Sequence, residues 1–299
     1  MSFIFLIDDM KKLLKRFISD QKIPIQPIDD KEYLDYALSI FGAKKPWTDL
    51  CSLVEERFSG NEDLFLDYMQ KLREKLISRV TLSRGYQNFQ SEDMNKYGIQ
   101  RVDGVRSDGI YKENLVGKDY TSIDLAEAGW QVLRRFGAGP DKSWKEFISE
   151  ETDIDYFITS KQFREVVLGN LNPKRQKTVE RWIINQVQEE LIQYKDQLIS
   201  QGDDEIIYTG DIELSKEYPN CHVSKFKLEG YKLKTGAKDI TFYSKCGIDK
   251  TTYHCVPNSY YIPIIKLLRG EKIEEKDLLF VNGEGILCKY LAEFKLEKL

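Results

Sequence analysis

The sequence predicts an α+β protein with a helical first part, a mixed core and a strand-rich end, and three observations predict it. Between residues 5 and 80, apolar residues recur three and four apart, as in "YLDYALSIF" and "LFLDYMQKLREKLI", which places them on one side of a helix. Near residue 120 a β-favouring run passes directly into helical spacing. Beyond residue 216, β-favouring runs separated by glycine-containing turns take over. A chain of 299 residues can bury a large core, as one domain or as two that pack closely. The regions divide as 1–84, 85–215 and 216–299.

Within the first region, "IPIQPIDD" and "AKKPWTD" interrupt the helices with prolines and with acids suited to N-caps. Residues 84–118 have several glycines and no sustained period, so loops with one or two short strands are expected there. "DYTSIDLAEAGWQVLRRFG" reads as a strand from Tyr120 to Asp124 that turns into a helix through Leu125, Ala128, Val132 and Phe136. Two helices are expected over 143–169, with Asn172 and Pro173 then placed as cap and first turn of the next. A long helix is expected over about 177–200, carrying Val179, Ile183, Val187, Leu191 and Leu198. Next come "GDDEIIYTGDIEL" as a hairpin, "CHVSKFKLEGYKLKTGAKDITFYSKCG" as a hairpin or meander turning near "TGAKD", "YYIPIIKLLRG" as a helix, and "DLLFVNGEGILCKYL" as a strand pair turning at "NGEG".

Composition excludes several classes. Hydrophobic residues at 41%, charged residues at 31% and only 8 prolines describe an ordered chain rather than a solvated tail. The opening "MSFIFLIDDM" lacks the basic n-region and long apolar run of a signal peptide. No stretch approaches the roughly 20 apolar residues that cross a bilayer. The expected location is therefore cytoplasmic, with no membrane partner. Five cysteines, Cys51, Cys221, Cys246, Cys255 and Cys288, fit reduced thiols in such a compartment. Both histidines lie beside cysteines, at "CH" 221–222 and "HC" 254–255. Neighbours on a strand point to opposite faces, which disfavours a zinc site built from either dipeptide.

A net charge of −4 argues against a chain coated in nucleic acid, but the distribution is uneven. Lys161, Arg164, Lys174, Arg175, Lys177 and Arg181 face only Glu165 and Glu180 across the same stretch, and seven lysines face three acids over 223–250. Two basic surfaces in an acidic chain suit a protein that grips phosphates on one side. The chemistry is concentrated in acids. Asp124 ends a strand, and "GDDE" places Asp203, Asp204 and Glu205 on a hairpin. Two-metal phosphoryl transfer needs carboxylates from separate strands held close enough to share ions, and Asp124 with Asp203 or Asp204 meets that need if the strands lie side by side. Taken singly, Asp124 reads as a helix cap, the acidic triplet as a tight turn, and Arg164 as a cover for its helix surface.

Taken in order, these segments resemble the palm of nucleic-acid polymerases. "TSIDLAEAGW" is similar to the first palm motif, and "GDDEII" to the third, as in "GDD" of RNA-dependent polymerases and "HDE" of family A DNA polymerases. "KQFREVVLGNLNPKRQ" is similar to the basic fingers helix that holds a triphosphate. The family A register, "DYTSIDL", implies Asp119 as metal ligand and Asp124 as the acid that senses the sugar. The reverse-transcriptase or family B register implies Asp124 as the ligand, and strand-forming Tyr120 and Thr121 with apolar Ile123 lead into that residue. The likeness covers roughly 115–215. The middle motif lacks the usual aromatic-glycine ending, and the chain is shorter than a replicative polymerase with its exonuclease.

The resemblance implies a palm and fingers-like core over 85–215, a thumb or accessory region after it, and a compact nucleotidyltransferase acting on a primer/template with nucleoside triphosphates. It implies Mg²⁺ or Mn²⁺ on Asp124, Asp203 and Asp204, with Asp119 and Glu205 as further catalytic candidates and Lys161, Arg164, Lys174 and Arg175 on phosphate. Its small size points to replication in a virus or mobile element, with replication-complex proteins as further partners. Two other readings stand beside it: a template-independent nucleotidyltransferase or nucleotide cyclase, and a non-catalytic nucleic-acid or replication-complex binding module.

Overall fold

The computed structural model describes residues 10–25, 31–99, 101–107, 109–138, 143–214, 217–218, 220–235, 239–248, 250–280, 286–287 and 294–299. Among the described residues, five helices come first: α1 (Lys11–Asp20), α2 (Lys31–Ile40), α3 (Lys44–Phe58), α4 (Glu62–Thr81) and α5 (Arg84–Ser91). Their starts follow local chemistry. Asn61 accepts from Asp63 N and Leu64 N to open α4, and Ser83 accepts from Tyr86 N to open α5, satisfying amides with no partner inside the helix.

Residues 84–91 therefore form a helix where loops were expected, and no named strand lies among the described residues of 84–118. Glycine in "RGYQ" reads as a breaker in sequence, but it is there for packing. A Cβ on Gly85 would come well under 3 Å from the backbone of Gly137 and Ala138, so only glycine lets α5 approach that turn.

A seven-stranded antiparallel sheet follows. Its order is β2-β3-β1-β4-β5-β6, with β9 also paired to β4. The strands are β1 (Asp119–Leu125), β2 (Leu198–Gln201), β3 (Glu205–Thr209), β4 (Cys221–Lys234), β5 (Ile240–Gly247), β6 (Thr251–His254) and β9 (Lys295–Lys298). Short β7 (Leu279–Phe280) and β8 (Ile286–Leu287) pair separately, giving the strand pair expected near the end. The expected turns at 236–238 and 282–285, and Cys288, lie outside the described residues.

Between β1 and β2 the chain forms α6 (Ala128–Arg135), α7 (Trp144–Ser149), α8 (Asp155–Thr159), α9 (Lys161–Gly169) and α10 (Pro173–Glu190). Three helices thus fill 143–169, where two were expected. The long helix starts earlier and ends earlier than its apolar spacing implied. Pro173 opens it after Asn172, which adopts φ 60°, and it stops at Glu190 so that Leu198 can enter β2. Leu198 is buried in either conformation, so its hydrophobicity could not separate a last helical turn from a strand.

Alternation along β1 splits its side chains between two layers. Ile123 packs with Ile206, Tyr208, Leu198 and, from α10, Ile184. On the other face Tyr120 packs with Ile207, Phe226, Leu228 and Tyr243, covered by Ile110 and Leu115. A third cluster joins Leu233 and Phe242 to Ile264 of α11 (Tyr261–Leu268). The N-terminal helices share one continuous core with α6 to α10, running from Leu13 and Trp47 through Phe65 to Trp130, Phe157 and Val179. No helix among the described residues is long and apolar enough to cross a membrane.

Candidate active site

The central strand β1 carries the first acid. β1 pairs antiparallel with β3 on one side and β4 on the other, setting Asp124 opposite Glu205 and opposite His222. The β2–β3 hairpin brings the second acid to the same strand end, where Leu125 N donates to Asp204 O at 2.8 Å. Asp124 and Asp204 both open into one cleft of about 520 Å³, whose opposite wall is built by α9 and the start of α10, with Lys161, Arg164, Gln176, Lys177 and Glu180.

The entrance to α6 is fixed by Glu127. This residue has a left-handed backbone at φ 52°, a conformation that non-glycine side chains adopt rarely. Its carboxylate accepts from Arg164 Nη1 at 2.8 Å and from Trp144 N at 3.3 Å, which ties the β1–α6 turn to α7 and α9. Gln176 closes the wall: its Nε2 donates to Leu168 O at 2.9 Å and to Leu171 O at 2.7 Å. A Cβ on Gly129 would overlap its Oε1, so glycine at 129 leaves room for the amide.

Electrostatics divide the acids into two sets. Burial, then the charges of Asp204 and Glu205, push the Asp124 carboxyl up to about 6. Burial and Glu205 also raise Asp204. Glu180, on α10, is pushed up to about 7 by burial and by Asp204 and Asp203. These carboxyls are short of positive charge. Asp203 is the opposite case: Arg181 Nε donates to it at 2.6 Å, Lys177 Nζ lies 3.7 Å away, and its carboxyl is held below the ordinary range by that arginine.

Several expected site residues are therefore re-placed. Asp203 is tied to α10 and does not line the cleft, so the hairpin acid facing Asp124 is Asp204. Asp119 is exposed at the far end of β1 opposite Lys227, and this geometry removes it as a ligand shared with the hairpin. Glu205 stands beside Asp124, but its Oε1 accepts from Ser122 Oγ at 2.6 Å and Lys245 Nζ at 3.2 Å. Lys161 and Arg164 line the cleft. Lys174 is exposed and outside it. Arg175 is a brace: it donates to Phe89 O from Nε at 3.1 Å and from Nη2 at 2.8 Å, and also to Glu92 O, joining α10 to the end of α5.

The cleft also contains residues that sequence reading passed over. Lys177 and Glu180 sit three apart on α10, a spacing that puts them on one face. His222 was considered only for zinc. Cys221 belongs instead to the apolar cluster on one side of the sheet while His222 lines the cleft, which is the opposition that disfavoured a shared metal. Glu127 carried no local signal, since its conformation is set by tertiary contacts.

Among the described residues, no three His, Cys, Asp or Glu side chains form a complete protein cage for a metal. Asp124 and Asp204 are hard-oxygen donors of like charge in a partly desolvated cleft, and that donor set fits Mg²⁺ or Mn²⁺, which take one or two carboxylates and complete their shell with water and phosphate. Comparison of the chain with protein-family models, with curated proteins and with solved structures found no match.

Proposed function

We propose that the cleft is the active site of a compact, palm-type nucleotidyltransferase that joins nucleoside triphosphates to a nucleic-acid primer on a template. The observation that carries this reading is the juxtaposition of Asp124, near the end of β1, and Asp204, in the β2–β3 turn beside it, with Lys161, Arg164 and Lys177 across one cleft. In this reading Asp124 and Asp204 hold the divalent cation, whose chemistry when bound is to neutralise charge on the transferred phosphoryl group and activate the attacking oxygen. Lys161 and Lys177 reach the triphosphate as mobile point charges, while Arg164, oriented by Glu127, presents a planar fork. Positioning and electrostatics supply most of the barrier reduction in phosphoryl transfer, so holding these groups on a sheet and two helices is what the protein contributes. In this proposal, Asp203 orients α10 against the hairpin.

The test is extension of a labelled primer on DNA and RNA templates with dNTPs or NTPs and Mg²⁺ or Mn²⁺, comparing wild type with Asp124→Asn and Asp204→Asn. Templated products lost in both folded variants are expected. Products made without a template would move the assignment to a terminal transferase or cyclase. No nucleotide chemistry in any arm, with no metal-dependent rise in Tm, would sink the enzymatic reading and leave the binding module.

A further inference from the structure

A second, smaller cavity of about 260 Å³ shares Leu125 with the acidic cleft and is otherwise separate from it, being lined by Gln131, Arg134, Arg135, Ile183 and Asn220. Among the described residues its polar wall holds two guanidinium groups and two amides, with no carboxylate. Asn220 is fixed in the wall by Ala126 N, which donates to its carbonyl at 2.9 Å. The Arg135 guanidinium lies 4.3 Å over the ring of Trp182. Arg134 Nε is shielded from solvent with no acceptor, and among the described residues neither arginine is ion-paired.

Both arginines occupy the last turn of α6, where cations complement the helix dipole. That accounts for their position but supplies neither guanidinium of the cavity wall with a counter-ion. An anion with several oxygens entering the cavity supplies one. We propose that this cavity binds a phosphate group, gripped by Arg134 with Arg135 beside it and with the Gln131 and Asn220 amides as further donors. At about 260 Å³ it is smaller than the roughly 300–1,000 Å³ of sites that enclose whole small molecules, which suits a single phosphate, either free or projecting from a nucleic-acid strand. The site stands whatever chemistry the acidic cleft performs.

Full-length protein is melted in sodium phosphate and in sodium chloride at matched ionic strength, and its binding of fluorescein-labelled single-stranded DNA is followed by anisotropy over a salt series. Wild type is compared with Arg134→Gln, which removes the charge, and Gln131→Glu, which places a carboxylate beside the arginines. In chloride both variants should melt within about 2 °C of wild type and keep any metal-dependent rise in Tm. Phosphate should raise the wild-type Tm beyond chloride, and both variants should lose that rise. A fall in strand affinity in both variants, with a salt slope smaller by about one, assigns the phosphate to a strand; a phosphate shift without a strand effect assigns it to free phosphate. Neither effect in wild type, or effects kept in both variants, overturns the site.

Discussion

Asp124 illustrates how a single side chain reveals a trade between folding and chemistry. Its carboxyl is raised from 3.8 to about 6 by burial, Asp204 and Glu205, so the folded chain binds this proton more tightly than the unfolded chain does. Stability is then lost as pH rises from the unfolded value through about 6, and below about pH 4 the residue contributes nothing to the difference. Asp124→Asn should accordingly raise Tm above about pH 7 by a few degrees, corresponding to about 1–2 kcal/mol after allowance for partial exposure, and the gain should vanish below about pH 4. A thermal melt series in pH with no such crossover would show that the charge is already compensated. Asp203 and Asp204 separate in the same way. Asp204→Asn should abolish any Mg²⁺-dependent rise in Tm, whereas Asp203→Asn should keep it and lose only a half-exposed ion pair of about 0–1 kcal/mol; equal loss in both would return Asp203 to the metal. The sequence marked both acids because composition and turn chemistry identify a hairpin, but which neighbour points into a cleft depends on Arg181, twenty-two positions upstream of Asp203, and no local pattern encodes that. Lys161 and Arg164 were legible from charge density, while the same density misplaced Arg175, whose guanidinium serves two backbone carbonyls.

Secondary elements were most legible where one face is buried and a cap is present. β1 and β3 emerged from short β-favouring runs beside an acidic turn, whereas β2 fell inside the expected long helix; the pairing of β1 with β3 follows from Ile123, Ile206 and Tyr208 needing the same apolar layer. Elements shaped by distant backbone were not legible. α5 is the clear case, since Tyr86 and Phe89 supply helical spacing and Ser83 caps it, yet Gly85 looks like a break until Gly137 is placed against it. Gly85→Ala should therefore destabilise the protein despite alanine's higher helix propensity. The expected loss is about 1–3 kcal/mol from forced separation of α5 and the end of α6, read as a lower midpoint in urea with an unchanged slope. A more stable variant would mean that the two backbones separate without strain. Because Arg175 braces the carbonyl end of α5 from α10, the same displacement should reach the cleft wall and weaken the nucleotide binding proposed for it without touching an acid.

At the scale of the whole molecule, the N-terminal helices and the segment that follows α11 meet through a buried charge. Asp277 is fully buried and Lys266 of α11 is 7% exposed, with Nζ to Oδ2 at 2.8 Å. Glu274 N donates to the same oxygen at 2.6 Å, and Tyr36 of α2 donates its hydroxyl to the other. Phe41 and Tyr261 add an edge-on ring contact, 6.4 Å between centroids, beside this network. Nothing in the local sequence joins "KEYLDY" to "EEKDLL"; the link exists only once the sheet has brought α11 beside α2. Asp277→Ala should leave the Lys266 ammonium buried without its counter-charge, a change that typically costs about 3–5 kcal/mol and, at about 2–4 °C per kcal/mol for large domains, lowers Tm by on the order of 10 °C. Replacing the pair together, Lys266→Met with Asp277→Leu, should recover much of that loss, because the penalty lies in the uncompensated charge rather than in the absence of the ion pair. Calorimetry of the three proteins decides it. If the double variant is as unstable as Asp277→Ala, then the bonds from Tyr36 and Glu274 to the carboxylate, and not the pairing with Lys266, hold these two parts of the chain together.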